Sequence, residues 1–183
     1  MTDARSQLIA HIRDEAVFHG DFTLTSGKKA TYYIDLRKVS LDHRVAPLIG
    51  QVMTDLVAEV PDVVAVGGLT MGADPIATAV LHQAAARGQA YDAFVVRKEP
   101  KDHGRGRQVE GPDVRGKRVV VLEDTSTTGG SPLKAAEALE REGAIIAAVA
   151  VVVDRDTGAK EAIERAGYPY YAAIGLGDLG LAP

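Results

Sequence analysis

Two aliphatic runs, Val-Val-Val-Leu at 119–122 and Ile-Ile-Ala-Ala-Val-Ala-Val-Val-Val at 145–153, contain no polar alternation. A strand with one wet face alternates apolar and polar side chains, so strands without alternation are covered on both faces, the pattern of a parallel sheet flanked by helices. Further short apolar strands are predicted at 63–66, 93–96 and 170–174. Between them lie helical patterns. Val45, Leu48, Ile49, Val52, Met53, Leu56, Val57 and Val60 recur at spacings of three and four, which places them on one helix face. Asp74 as cap and Pro75 as first residue open a second helix that Gly88 closes, and Ser131-Pro132 open a third that Gly143 closes. A last helix is predicted to end near Gly167. Leu8, Ile12 and Ala16 predict a helix over 3–18, followed by a Gly-interrupted extended stretch over 23–39, so that roughly the first 40 residues form a small amino-terminal hood. No repeat or linker interrupts the chain, and residues 1–183 are expected to form a single domain.

Composition narrows the function classes. With 46% hydrophobic residues and a mean hydropathy of -0.02, this is an ordinary globular composition. There is no cysteine, which removes disulfides, thiol nucleophiles and thiolate-bound metals. The net charge of -4 argues against a nucleic-acid partner. Residues 1–20 lack the apolar core of a signal peptide, and no apolar stretch is long enough for a membrane span. A soluble cytoplasmic protein is expected.

In open parallel sheets, ligands bind beyond the carboxyl ends of the strands. There the run 119–122 continues as Glu123-Asp124-Thr125-Ser126-Thr127-Thr128-Gly129-Gly130-Ser131-Pro132. A buried strand delivers two carboxylates at its open end, suited to vicinal hydroxyls or a hydrated magnesium ion. Hydroxyl residues and glycines follow, which let backbone N–H groups form an anion cradle, and the next helix adds its positive end. Capping needs one hydroxyl, whereas this loop carries five. An NTPase reading requires a G-x-x-x-x-G-K-[ST] partner, which the chain lacks.

The stretch 119–131 resembles the phosphoribosyl pyrophosphate motif of the type I phosphoribosyltransferases. The resemblance implies that fold, a central parallel sheet flanked by helices with an amino-terminal hood. It also implies magnesium as cofactor and a sugar-phosphate site formed by Glu123, Asp124, Thr125, Ser126, Thr127, Thr128, Gly129, Gly130 and Ser131. Glu123 and Asp124 are the expected metal-holding residues, directly or through water.

Between residues 96 and 118 lies a polar loop containing Arg97, Lys98, Lys101, Asp102, His103, Gly104, Arg105 and Gly106. A loop of that length in a compact domain is usually either a functional lid or disordered, and Lys101, His103 and Arg105 are suited to neutralising a departing pyrophosphate. Arg97-Lys98 with Lys101-Asp102-His103-Gly104 resembles the catalytic loop of orotate phosphoribosyltransferases. Phe22-Thr23-Leu24-Thr25-Ser26-Gly27 and Thr31-Tyr32-Tyr33-Ile34 resemble the hood of that family, and Asp154-Arg155 its orotate-gripping pair.

This resemblance implies transfer of ribose 5-phosphate from phosphoribosyl pyrophosphate to orotate, in de novo pyrimidine biosynthesis. Lys101, His103 and Asp124 would be catalytic, Arg97 and Lys98 would join the phosphoribosyl pyrophosphate contacts, and Thr127 and Arg155 would bind orotate. A homodimer with shared sites is implied as well. Two departures stand out: many members carry Lys where this chain has Thr25, and Tyr-Lys where it has Met71-Gly72. Arg97 and Lys98 are the expected replacements for that charge. The alternatives are a purine phosphoribosyltransferase and a non-catalytic sensor of phosphoribosyl pyrophosphate. The late G-x-G-x-x-G at 175–180 has only three residues after it and cannot be a dinucleotide fingerprint. His11, His19, His43 and His82 show no metal-binding spacing.

Overall fold

In the computed structural model, residues 3–23, 29–100 and 107–182 are described. Helix α1 (Ala4–His11), capped by the Asp3 carboxylate on Ser6 N, runs into a π-helical turn (Ile12–Ala16). Strands β1 (Val17–Thr23) and β2 (Lys29–Ile34) form an antiparallel hairpin, the hood. Two helices follow, α2 (Arg37–Ser40) and α3 (Ala46–Ala58). The remaining order is β3 (Ala65–Leu69), α4 (Ala73–Ala86), β4 (Asp92–Val96), β5 (Val109–Glu110), β6 (Arg118–Ser126), α5 (Gly130–Arg141), β7 (Ile145–Asp154), α6 (Ala159–Arg165) and β8 (Tyr170–Gly175). A 3-10 turn (Leu176–Leu179) comes after β8. No described helix is long and apolar enough to cross a membrane.

The main sheet has six strands in the order β5-β4-β3-β6-β7-β8, parallel except for the β4–β5 pair. The aliphatic runs explain why. Val120 and Leu122 join the core under α1, α3 and α4, whereas Val119 and Val121 join the core under α5 and α6. All four are fully buried. Each such side chain contributes about 1.5–3 kcal/mol by leaving water. Phe94 is the one aromatic among the described buried hydrophobic residues, so packing is aliphatic.

Several boundaries differ from the sequence expectation. The first helix stops at His11, and Val17 and Phe18 already belong to a strand that pairs with Ile34 and Tyr33. β3 begins at Ala65 and includes Gly67 and Gly68, which read as part of a turn. Asp74 is not the cap of α4: Gly72 holds that position, and Asp74 accepts from Thr70 Oγ1 at 2.7 Å inside the first turn. β6 runs on to Ser126, and α5 starts at Gly130 behind a left-handed Gly129.

The two β3 glycines have a steric cause. A Cβ on Gly67 would stand 2.0 Å from the Phe94 carbonyl oxygen, and one on Gly68 2.0 Å from that of Leu122. At Arg97 the basic loop leaves the sheet, and at Gln108 it returns. Arg97 N donates to Gln108 C=O at 2.8 Å, and Gln108 Nε2 donates to Arg97 C=O at 2.9 Å. Gln108 Oε1 also accepts from Arg141 Nη2 at 3.0 Å, tying this neck to α5.

Overpacking of a closed core typically costs a few kcal/mol. The Gly68→Ala variant is therefore expected to lose about 3 kcal/mol and to melt about 6–12 °C lower in calorimetry. An unchanged melting temperature would disprove the close approach at Gly68.

Candidate active site

β3 is followed through α4 by β4 on one side, and the chain then crosses back to add β6 on the other. This reversal is a topological switch point, where the loops after neighbouring strands part and leave a crevice. A cleft of about 290 Å3 opens there. β6 contributes Glu123, Asp124 and Thr125, α5 contributes Ser131, and the loop after β3 contributes Thr70, Met71 and Gly72. Lys98 enters from the basic loop, and Tyr33, Asp35 and Arg37 from the hood side.

The two carboxylates differ in environment. Glu123 is 6% exposed, and its Oε1 accepts from Asp124 N at 3.1 Å. Burial, joined by the neighbouring Asp124 charge, pushes its carboxyl up to about 9. The protonated form is thereby favoured, and in that form Glu123 can donate as well as accept a hydrogen bond. Asp124 is half-buried, and Thr125 N donates to its Oδ1 at 2.6 Å. A Cβ on Gly72 would lie 2.8 Å from Asp124 Cγ, so the absence of a side chain at 72 makes room for that carboxylate.

The predicted loop divides. Glu123, Asp124, Thr125 and Ser131 line the cleft, whereas Ser126 is buried at the end of β6 with its Oγ unbonded to any described group. Thr127, Thr128 and Gly130 are exposed and lie outside the lining. Gly129 takes φ 79° and backs onto Ile163 of α6. The ladder of α5 opens with Leu133 N donating to Gly129 C=O at 3.1 Å. N–H groups in the first turn of a helix have no acceptor within it, and the positive end of the dipole lies there.

Lys98 is exposed and lines the cleft, but Arg97 is not among its lining residues, and its Nη1 stands 3.6 Å from Glu110 Oε1. Lys101, His103 and Thr25 lie outside the described residues. Arg155, also absent from the cleft lining, follows β7 directly, and its N donates to Ser126 C=O at 3.1 Å. The neighbouring Thr157 Oγ1 donates to Thr127 C=O at 2.6 Å, so the loops after β6 and β7 are stitched together twice.

Sequence reasoning missed Asp35, Arg37 and Thr70 as cleft residues. Asp35 Oδ1 accepts from Arg37 Nε at 3.0 Å, which holds the guanidinium above its ordinary pKa, with the Asp124 charge adding to the effect. The available signal was position: Thr70 follows a strand end, and Asp35 and Arg37 follow the Tyr-Tyr-Ile strand of the hood. A larger groove of about 750 Å3, lined by α2, α3 and α4 residues, adjoins the cleft and shares Arg37 and Met71 with it. Leu41 and Met71 are 69% and 57% exposed in it.

The Glu123 shift sets a pH dependence of stability. Its folded pKa is raised, so its contribution is complete below the ordinary value of 4.5 and is lost as pH rises toward about 9. Glutamine mimics the protonated form at every pH. Glu123→Gln should melt about 5 °C above the parent protein at pH 8, with the gap closing below the ordinary value. Equal melting curves across that range in differential scanning fluorimetry would rule out a buried protonated Glu123.

Known proteins with the same features supply the family. The phosphoribosyl transferase domain profile matches residues 41–166. The orotate phosphoribosyltransferase of Tropheryma whipplei (strain Twist) is 61% identical over 175 residues, covering 96% of this chain and 82% of its own length. That of Streptomyces coelicolor is 59% identical over 182 residues, covering 99% of this chain and 100% of its own. The crystal structure of Mycobacterium tuberculosis H37Rv orotate phosphoribosyltransferase in complex with 5-phospho-alpha-D-ribosyl 1-diphosphate superposes with a TM-score of 0.84 at 48% identity, covering 97% of this chain and 99% of that one. With this identity and structural likeness over nearly the full length, this chain belongs to the orotate phosphoribosyltransferase family.

Proposed function

We propose that this protein transfers the ribose 5-phosphate group of phosphoribosyl pyrophosphate to orotate, releasing pyrophosphate and forming orotidine 5'-monophosphate. The observation that carries this reading is the Glu123–Asp124 pair, set at the switch point beside the first turn of α5 in a cleft that Lys98 also lines. In the reaction the bond from the anomeric carbon to the pyrophosphate oxygen breaks as a bond to a ring nitrogen of orotate forms, and the proton that nitrogen carried is released to water. Positive charge grows on the ribose and negative charge on the leaving group, so a catalyst must hold both.

Asp124 accepts hydrogen bonds from the ribose hydroxyls, and the protonated Glu123 beside it donates one or accepts one. Thr125 to Ser131 and the α5 terminus anchor the 5'-phosphate, using remote binding energy to position the reacting carbon. Lys98, with Lys101 and His103, neutralises the pyrophosphate, and His103 or Lys101 gives a proton to its oxygen. Arg155 and Thr127 grip orotate, the Arg155 fork matching its carboxylate.

The donor set fits magnesium carried by the substrate. Among the described residues no group of three His, Cys, Asp or Glu surrounds a point. Magnesium is commonly held by one or two carboxylates with phosphates and waters completing its shell; Asp124 would hold it, and Glu123 would join on giving up its proton. When bound, it neutralises charge on the pyrophosphate.

The enzyme works in the cytoplasm as a homodimer in which each chain lends its basic loop to the neighbouring cleft. Supporting this is the apolar groove of α2–α4, which carries exposed Leu41 and Met71 and runs into the cleft. A second copy seated there would be brought against the pyrophosphate end.

Three measurements test this. Orotate absorbance should fall with phosphoribosyl pyrophosphate and magnesium present, while adenine, hypoxanthine and uracil go unused; turnover of a purine instead would overturn the assignment. Lys101→Ala should slow single-turnover chemistry about 100-fold with orotate affinity retained, and an unchanged rate would remove Lys101 from the chemical step. Mixing Lys101→Ala with Asp124→Asn chains should restore part of the activity, because hybrid dimers hold one intact site. No recovery would count against shared sites.

A further inference from the structure

Arg155 is 8% exposed, and no described carboxylate pairs with it; its Nε has no hydrogen-bond partner in the described protein. A buried cation without a counter-charge is costly, so its surroundings must either hold it or await an anion. What holds it is a ring. The guanidinium carbon lies 5.5 Å from the centroid of Tyr32. A cation over an aromatic face is attracted by the ring quadrupole, most strongly where water is excluded.

Tyr32 is itself fixed from two directions. It belongs to β2, where it pairs with His19 and packs against the core. Its hydroxyl donates to the Ala182 carbonyl at 3.2 Å, in the segment after the 3-10 turn. We propose that Tyr32 is a positioning residue for the base: its ring, latched by Ala182, fixes the plane of the Arg155 guanidinium so that the free edge meets the orotate carboxylate. This rests on the reading of Arg155 as the orotate grip. The ring attracts the cation without accepting from its N–H groups, so it holds Arg155 in place without competing for the ligand.

Steady-state kinetics of the whole protein tests the proposal. Tyr32→Leu is expected to raise KM for orotate about tenfold, with KM for phosphoribosyl pyrophosphate unchanged. Tyr32→Phe keeps the ring but loses the Ala182 latch, so its KM for orotate should rise less than that of leucine; a loss as large as that of leucine would overturn the role of the ring. Should Tyr32→Leu fail to fold, Tyr32→Met keeps bulk without a ring and carries the same expectation. Arg155→Gln separates the two claims. If it leaves KM for orotate unchanged, the grip itself is wrong; if it raises KM while Tyr32→Leu and Tyr32→Met do not, only the positioning role fails. In the Arg155→Gln background, Tyr32→Leu should add nothing further, because the ring acts through Arg155. Additive losses would show a merely structural role and overturn the proposal.

Discussion

The chemistry at the open end of this sheet depends on β6 being dry on both faces until its last residues. Val119–Leu122 are locked between two helical layers, so the backbone that follows has little freedom in where it emerges. Glu123 is still buried and Asp124 is half-buried, which brings two carboxylates to a fixed place at the boundary between core and water. Interiors packed as densely as crystals transmit such constraints with little slack. Gly68 serves the same end from the other side of the crevice, since a side chain there would force β3 away from the Leu122 carbonyl.

Charge in the cleft is arranged so that little of it is uncompensated before substrate arrives. Glu123 keeps its proton, and Arg37 is engaged by Asp35. Substrate therefore enters a site whose strongest field comes from Asp124, Lys98 and the first turn of α5. A proton on Glu123 is also a reserve: a cation drawn into the cleft favours its release, which would convert a neutral hydrogen-bonding group into a second anion.

Much of the fold was legible in the sequence because burial on both faces leaves an unbroken aliphatic signature. β4, β6, β7 and β8 begin within a residue of their expected places. β3 was shifted because exposed Val64 extended the apolar run at one end, and because Gly67 and Gly68 look like a turn when the neighbouring strands are not in view. The acidic pair was found for a similar reason, since a strand and its carboxylates are contiguous. Asp35, Arg37 and Thr70 were not, because their meeting with Asp124 depends on how the hood region and the β3 loop pack, which no local pattern encodes. Ser126 was read as a loop hydroxyl, yet the strand outlasts the apolar run by several residues and takes it inside. Arg97 shows the same limit: its charge is plain in the sequence, but the neck formed with Gln108 decides that it turns toward Glu110.

The stitches between the loops after β6 and β7, Thr157 to Thr127 and Arg155 to Ser126, have a bearing on how two substrates are handled. Neither loop can rearrange without straining bonds to the other, so they behave as one mechanical body. On the proposed reading, a sugar phosphate that stilled the first loop would also quiet the second, and a base settling beside Arg155 afterwards would have less disorder left to remove. Communication of this kind needs no hinge and no change of shape, only that part of the entropic cost of ordering has already been met.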